Sequence, residues 1–371
     1  MTAPQEIAAD TAKSVLSRRA MLIGAGAAAA AAPFGILGAA NAITGAGPAP
    51  LAPLLDDWIC RAAAPVSATA PGGALRQLKL AWNATAICTS SAPVAKERGI
   101  FASHGLDVEF VNFGGSTEQL LEAIATGKAD AGIGMALRWI KPLEQGFDVR
   151  ITAGIHGGCL RLLAGKSTGI AKLEDLKGKT VAIADQASPA RNFFSVVLAK
   201  HGIDPVKDVE WRNYPPEVLP LAVEKGEAHA LADNDPRTWL WLKDGKLNEI
   251  STNLSGEYAG RTCCVLAVRG ALLREERNVT TALTQSVLEA GHLVATNPAD
   301  AAAIFSGYGG KGSVEDLTAM LRSHTHHAQV TGTELKKQIA LYADELKGVN
   351  VIKASTDTAK FADRVFADVL S

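Results

Sequence analysis

From Leu78 onward the chain alternates between short apolar runs and longer stretches in which apolar residues recur with the spacing of a helix face. Short apolar runs are typical of buried β-strands, and the longer periodic stretches are typical of amphipathic helices. The alternation of the two predicts an α/β protein with largely parallel sheets. Strands are predicted at 78–82, 107–112, 129–132, 149–153, 180–184, 209–213, 228–232 and 263–268.

The stretch 116–126 shows why helices are predicted between these strands. Ser116 is a favourable N-cap, and the apolar residues at 120, 121, 124 and 125 then fall on one helix face. Gly127 favours the end of that helix. Beyond residue 264 the strand pattern fades, and the periodicity predicts helices at 278–295, 300–305, 314–322 and 333–346.

The first 42 residues have the layout of an export signal. Arg18 and Arg19 precede a weakly hydrophobic run at 23–36, and Ala40-Asn41-Ala42 supplies a small-x-small cleavage pattern. Paired arginines in this position are typical of the bacterial twin-arginine signal. The run is shorter than the roughly 20 residues of a membrane span, so we predict cleavage after Ala42 and a soluble periplasmic protein. Residues 43–74, rich in Pro and Ala, are predicted to be a linker.

Composition narrows the possible functions. The 371 residues carry a formal net charge of -1, with 47% hydrophobic and 20% charged residues, which is typical of a globular protein. No excess of basic residues favours nucleic acid as a partner. The sequence contains no Gly-x-Ser-x-Gly, His-Glu-x-x-His or Walker A motif. A non-enzymatic protein without a cofactor is therefore expected.

Four motifs fall in a characteristic order. They are Gly-Ile-Phe at 99–101, Gly-Leu-Asp-Val-Glu at 105–109, Gly-Lys-Ala-Asp at 127–130 and Leu-Glu-Asp-Leu-Lys-Gly-Lys-Thr-Val at 173–181. In this order and spacing they resemble the nitrate/sulfonate/taurine-type solute-binding proteins of ABC importers. The resemblance covers roughly residues 78–306.

The resemblance implies a two-lobed periplasmic binding protein fold of type II. Two doubly wound sheets would be joined by a hinge that the chain crosses twice, with a helical C-terminal extension. Lobe one would comprise 75–165 plus 263–371, and lobe two 166–262. The resemblance also implies a monomer that captures a small anionic solute, of the nitrate, sulfonate, taurine or bicarbonate class, by lobe closure. It would deliver this solute to an ABC transporter permease in the inner membrane.

Polar residues follow the first three predicted strands, where open α/β sheets bind their ligands. Thr85 and Cys88 follow the first strand, Ser116 and Thr117 the second, and Met135 the third. Two glycines before Ser116 allow close backbone approach to a nitrate, sulfonate or carboxylate at the helix N-terminus. The alternatives are that Ser116 only caps its helix and that Met135 only fills the core.

The predicted second lobe offers Ser188, Arg191 and Asp235. Ser188 precedes a proline at the predicted helix start, and Arg191 in the first turn is placed to reach an anion in the cleft. Asp235 and the neighbouring Asp233 are unexpected in a site for anions. They either pair with Arg237 or indicate a ligand that also carries an amine.

His156 and Cys159 form a possible soft-metal pair after the predicted strand 149–153, and three further histidines lie at 324, 326 and 327. Their spacing matches no closed zinc signature, so we predict that His156 and Cys159 contact an organic ligand and that no metal site is present. Transition-metal binding remains an alternative.

The five cysteines leave at least one thiol unpaired. A disulfide between Cys88 and Cys159 is conceivable, whereas Cys263 and Cys264 are expected to be buried thiols on opposite faces of a strand. Pyrimidine synthases of thiamine biosynthesis share the implied fold and use a cysteine-rich run with a histidine. Only Cys263-Cys264 resembles that run, which leaves binding of a thiamine-precursor pyrimidine as a further alternative.

Overall fold

The computed structural model describes residues 73–371 of the chain. The predicted signal peptide at 1–42 and nearly all of the predicted linker at 43–74 lie outside the described residues. None of the helices between residues 73 and 371 has the length and apolar character that a membrane crossing requires.

Residues 73–371 form ten strands, of which eight correspond to the predicted ones. They are β1 Arg76–Trp82, β2 Leu106–Asn112, β3 Ala131–Met135, β4 Val149–His156, β5 Leu160–Gly165, β6 Lys179–Ile183, β7 Val209–Asn213, β8 Ala230–Asn234, β9 Leu247–Thr252 and β10 Cys264–Arg269. The strands β5 and β9 were not predicted. β9 lies at a sheet edge, and its sequence Leu-Asn-Glu-Ile-Ser-Thr is largely polar. It therefore lacks the apolar run from which strands were predicted.

The same residues form thirteen α-helices and five short 3-10 turns. The helices are α1 Ser91–Glu97, α2 Ile100–Ser103, α3 Thr117–Ala125, α4 Ala136–Glu144, α5 Pro189–Lys200, α6 Leu219–Glu224, α7 Arg237–Lys243, α8 Gly270–Glu275, α9 Arg277–Thr296, α10 Pro298–Gly307, α11 Val314–Ser323, α12 Gly332–Gly348 and α13 Thr358–Val365. The 3-10 turns are Ile87–Thr89, Lys166–Thr168, Leu173–Leu176, Pro216–Val218 and Gly256–Tyr258.

The strands assemble into two five-stranded mixed sheets, which confirms the expected two-lobed α/β fold. The first lobe is built on the order β2-β1-β3-β10-β4, and the second lobe on β7-β6-β8-β5-β9. In the first sheet β1 is parallel to β2 and β3, whereas β10 is antiparallel to β3 and β4. Because β10 runs in the opposite direction, its first residue lies beside the last residues of its neighbours. The pairing places Cys264 opposite Met135 and His156.

Apolar residues on both faces of the first sheet pack against helices, as expected for a sheet covered on two sides. Leu80 and Leu266 belong to a buried cluster that also contains residues of α1 and α9. Ala81 and Val265, one position away on β1 and β10, belong to the cluster that contains α3 and α4. The helices after β10 complete the first lobe, where Phe366 bridges to Ile151 and Val330 to Gly154 of β4.

The chain passes between the lobes at 157–159, after β4, and returns at 253–263, before β10. The predicted lobe boundary at 165 lies at the end of β5, whereas sheet membership already changes before β5 begins. The two passages touch. A Cβ atom on Gly158 would collide with the backbone of Asn253, so only glycine permits this approach.

Candidate functional site

Four free cysteines meet where the chain passes between the lobes: Cys88, Cys159, Cys263 and Cys264. All four side chains are buried. The Sγ atoms of Cys159 and Cys263 lie 3.6 Å apart, and Asn253 Nδ2 donates to Cys263 Sγ at 3.5 Å. The conceivable Cys88–Cys159 disulfide is not formed. Burial raises the pKa of the Cys264 thiol well above its ordinary value.

His156 lies beside two of these thiols. One donor atom from each of Cys88, His156 and Cys264 falls within 4.8 Å of the other two. The strand register explains the pairing of His156 with Cys264, and the turn Ile87–Thr89 after β1 brings in Cys88. Two thiols and an imidazole in this arrangement are ligands that soft transition metals prefer.

The imidazole of His156 is completely buried, and within the described residues neither ring nitrogen forms a hydrogen bond of normal geometry. Its ring lies against that of His326, 4.7 Å between centroids and tilted by 31°, and within residues 73–371 His326 also has no hydrogen-bond partner at either nitrogen. Burial lowers the pKa of His326 well below its ordinary value, which favours the neutral ring. A buried polar group without a partner costs about 1–3 kcal/mol, so the cluster is poorly satisfied by the protein alone.

The carboxylate of Asp235 is fully engaged by surrounding donors. It accepts from His324 Nε2 at 2.8 Å and from Arg161 Nε at 3.1 Å, and it also accepts from the Thr238 hydroxyl and the Trp239 amide. Burial acts to raise its pKa, but the hydrogen bond from His324 and the charge of Arg161 hold the pKa of Asp235 below its ordinary value.

The neighbouring carboxylate, Asp233, forms an ion pair with Arg237. Asp233 accepts from Arg237 Nε at 2.7 Å and from its terminal nitrogen at 2.9 Å. This is the pairing with Arg237 that the sequence left open. Both acidic side chains are thus neutralised within the protein and are not available to bind an amine on a ligand.

Arg138 in α4 is a buried cation that the sequence analysis missed. Its terminal nitrogen donates to the Gly115 carbonyl at 2.6 Å and to the Thr117 hydroxyl at 2.5 Å, whereas Nε has no partner. Among residues 73–371 it forms no ion pair, and burial lowers its pKa. The sequence could have indicated Arg138 as a site residue, because it is the third residue of α4, the same position that the predicted site residue Arg191 occupies in α5.

Arg191, which is half-buried, resembles Arg138 in two respects. Its Nε has no hydrogen-bond partner, and burial lowers its pKa. The first turns of the two helices touch across the lobes, where Asn192 Nδ2 donates to the Leu137 carbonyl at 3.5 Å. The structure therefore brings to neighbouring helix starts two guanidinium groups that have no carboxylate partner in the described part of the chain.

An open groove of about 790 Å³ lies between the start of α3 and the loop after β6. Its walls come from both lobes, with Asp185 and Ala187 contributed by the second. The remaining lining residues are all from the first lobe: Ser116, Thr117, Glu118, Leu121, Glu122, Ala125, Pro142, Gln145, Gly146 and Phe147. Thr117 connects the groove to Arg138, because its hydroxyl accepts from that guanidinium.

Five of the ten predicted site residues fall into two groups. Cys88, His156 and Cys159 meet in the buried cluster, whereas Ser116 and Thr117 line the groove. The hydroxyls of Ser116 and Ser188 accept from the amides of Gln119 and Arg191, so both serines cap helices. The Thr85 hydroxyl donates to Asn83 Oδ1 at 2.9 Å, and Met135 is buried in the core beside Cys264.

A family model described as the NMT1-like family matches residues 72–306. None of the curated proteins compared with the chain matches it. Many solved structures do, at low sequence identity.

One similar structure is the alkanesulfonate-binding protein SsuA from Xanthomonas axonopodis pv. citri bound to MOPS, at 19% identity and a TM-score of 0.64, covering 79% of this chain and 99% of that one. Another is the periplasmic nitrate-binding protein NrtA from Synechocystis PCC 6803, at 17% identity and a TM-score of 0.66. The match covers 80% of this chain and 87% of that one. A third is the ligand-binding component of an ABC-type import system from Staphylococcus aureus with zinc bound, at 16% identity and a TM-score of 0.65. The match covers 80% of this chain and 97% of that one. At these identities the likeness establishes the fold.

Proposed function

The chain belongs to the NMT1-like family, and from this premise we propose that it is the solute-binding subunit of an ABC importer of the nitrate and sulfonate type. Its two lobes, joined by two short chain passages, would close over a small solute. Sulfonate- and nitrate-binding proteins with the same fold support this assignment. In this role the protein binds and releases a solute and catalyses no reaction.

The ligand in this proposal is a small anion, and the observation that carries it is the burial of Arg138. Only 5% of this side chain is exposed, and no carboxylate of residues 73–371 pairs with it. A buried charge is costly unless it is paired and hydrogen-bonded. Asp233, one of the carboxylates that act on Arg138, is bound to Arg237. Asp185 acts on Arg138 electrostatically but forms no ion pair with it within residues 73–371, so an anionic ligand is the natural partner of Arg138.

Two further features support an anion at this position. Arg191 adds a second guanidinium from the other lobe, so that closure of the lobes brings both cations toward one ligand. The nine-residue helix α3 begins beside Arg138, and the backbone N–H groups of a helix N-terminus favour negative charge.

Within the anion classes, the groove favours a sulfonate with a short organic part over nitrate or bicarbonate. Leu121, Pro142 and Phe147 give the groove an apolar wall, which an inorganic anion would not use. The sulfonate oxygens would lie at Arg138, and the organic part would extend along this wall.

We also propose where the protein works. The predicted twin-arginine signal and its cleavage after Ala42 would place the mature protein in the periplasm, as a monomer that delivers its solute to an inner-membrane permease. The periplasmic proteins that share its fold support this location.

Calorimetric titration of the protein tests the ligand class. Ethanesulfonate is expected to bind, and ethyl methyl sulfone, its neutral isostere, is not. Arg138→Gln should weaken sulfonate binding by about 1.5–3 kcal/mol, because a hydrogen bond to a charged group is lost. Binding should also make the protein more compact in small-angle scattering and raise its Tm.

Arg98→Gln is the matched control, since Arg98 is exposed and pairs with Asp300 away from the groove. Its titration should equal that of the unmodified protein. Tight binding of a neutral thiamine-precursor pyrimidine without sulfonate binding would contradict the anion proposal, as would unchanged sulfonate affinity in Arg138→Gln.

A further inference from the structure

The thiols of Cys88 and Cys264 and the imidazole of His156 converge in the interior from three separate elements. Cys88 comes from the turn after β1, His156 from the end of β4, and Cys264 from the start of β10. Their donor atoms lie within 4.8 Å of one another, and none of the three side chains is more than 1% exposed. Two thiolates on one tetrahedral zinc ion, with Zn–S bonds near 2.3 Å, lie about 3.8 Å apart. Small side-chain adjustments would therefore bring these three donor atoms onto one ion.

The buried imidazole of His156 indicates that a ligand is missing from this cluster. Buried polar side chains nearly always form at least one hydrogen bond. Within residues 73–371 neither ring nitrogen of His156 forms a hydrogen bond of normal geometry, although the ring is fully buried beside the thiols of Cys88 and Cys264. Coordination of a metal through one nitrogen would give that nitrogen a partner.

We propose that Cys88, Cys264 and His156 bind one thiophilic transition-metal ion of the Cu(I) or Zn(II) class. The two cysteines bind as thiolates and release their protons to solvent, and His156 binds as the neutral ring. Soft thiolate ligands select such ions over Mg²⁺ or Ca²⁺.

The other two thiols of the cluster already have partners. Cys159 Sγ and Cys263 Sγ contact each other at 3.6 Å, and Asn253 Nδ2 donates to Cys263. Cys263 lies one residue before β10 and its Sγ contacts Cys159 and Asn253, whereas Cys264 begins the strand opposite His156. Cys263 therefore provides a control thiol of the same burial, one residue from a proposed ligand.

This inference is independent of the proposed import function. The metal ligands are buried in the cluster, whereas Ser116 and Thr117 line the groove proposed for the organic anion. Metal binding is measured without any sulfonate, so a failure of one proposal leaves the other intact.

The test uses the full chain, reduced and freed of metal with a chelator under anaerobic conditions. Cu(I) is titrated in competition with a chromogenic chelator, Zn²⁺ is titrated separately, and Co²⁺ reports thiolate ligands through its charge-transfer absorption. We expect one equivalent of Cu(I) or Zn²⁺ per chain, a higher Tm with the metal bound, and a thiolate-to-cobalt band.

The variants identify the ligands. Cys88→Ser, Cys264→Ser and His156→Gln should each weaken binding by roughly tenfold or more, whereas Cys263→Ser should bind as the unmodified protein does. Circular dichroism of each metal-free variant establishes that it is folded; if Cys264→Ser does not fold, Cys88→Ser and His156→Gln decide. Absence of binding of both Cu(I) and Zn²⁺ to the unmodified protein would overturn the proposal. Equal losses in Cys263→Ser and in the ligand variants would overturn it as well.

Discussion

The imidazole of His324 donates through Nε2 to Asp235 Oδ2 at 2.8 Å, and this hydrogen bond joins the two lobes. His324 follows α11 in the first lobe, and Asp235 follows β8 in the second. Neither side chain is exposed. A hydrogen bond to a charged group that is shielded from water is among the stronger polar interactions in a protein. The relative position of the lobes in this structure therefore depends in part on one buried pair.

Replacing His324 by Ala should destabilise the protein by about 1.5–3 kcal/mol, because Asp235 loses a donor in a buried environment. The free energy of unfolding, measured with urea, tests this. His327→Ala is the control, since His327 is exposed and three residues further on; it should change stability by less than about 0.5 kcal/mol. Equal effects of the two substitutions would show that the hydrogen bond between the lobes does not contribute to the free energy of unfolding.

The same pair predicts how stability depends on pH. Since the pKa of Asp235 is lowered in the folded protein, its carboxylate contributes stability that is present above the ordinary aspartate pKa of about 3.9 and is lost as pH falls through the lowered value. Asp235→Asn should therefore be less stable than the unmodified protein at pH 7, with a difference that shrinks below about pH 4. Denaturant unfolding at several pH values measures it.

Asp107→Asn provides the comparison for that series. Asp107 is exposed, and it has no ion pair among residues 73–371. Its stability should follow that of the unmodified protein at every pH. A gap between Asp235→Asn and the unmodified protein that stays constant down to pH 3 would be inconsistent with the proposed role of the carboxylate.

Gly158 should tolerate no side chain. A Cβ atom there would overlap the backbone and side chain of Asn253, which cannot move away easily because its Oδ1 accepts from the amides of Cys159 and Leu160. Gly158→Ala is expected to cost about 1–3 kcal/mol, as overpacking does elsewhere. Gly260→Ala, in the return passage, has open space around the added carbon and should be nearly neutral. Thermal unfolding of both variants decides; similar Tm values would refute the steric argument.

Export should depend on the paired arginines. Changing Arg18 and Arg19 together to Lys is expected to leave the precursor in the cytoplasm of a bacterium that has the twin-arginine pathway, because that pathway reads the arginine pair. Fractionation and immunoblotting measure the distribution. Lys13→Gln changes a charge outside the pair and should not affect export. Normal periplasmic levels of the double variant would show that another route is used.

The amino-acid sequence determined features that depend on neighbouring residues. Eight strands, the α/β class and the caps at Ser116 and Ser188 could be predicted because hydrophobic periodicity and helix capping act within one or two turns of chain. The edge strand β9 escaped prediction, since its residues are mostly polar and its pairing with β5 is made by distant residues.

Only the tertiary structure decided which functional groups meet. Cys88, His156 and Cys264 are brought together by the antiparallel pairing of β10 with β4 and by the turn after β1, and no local pattern encodes that meeting. His324, which donates to Asp235 from the other lobe, is 89 positions away in the sequence. Arg138 looks like an ordinary helical arginine until its burial is known. Distances between side chains, and the charges left without partners, arise from packing of remote segments, which sequence spacing alone does not specify.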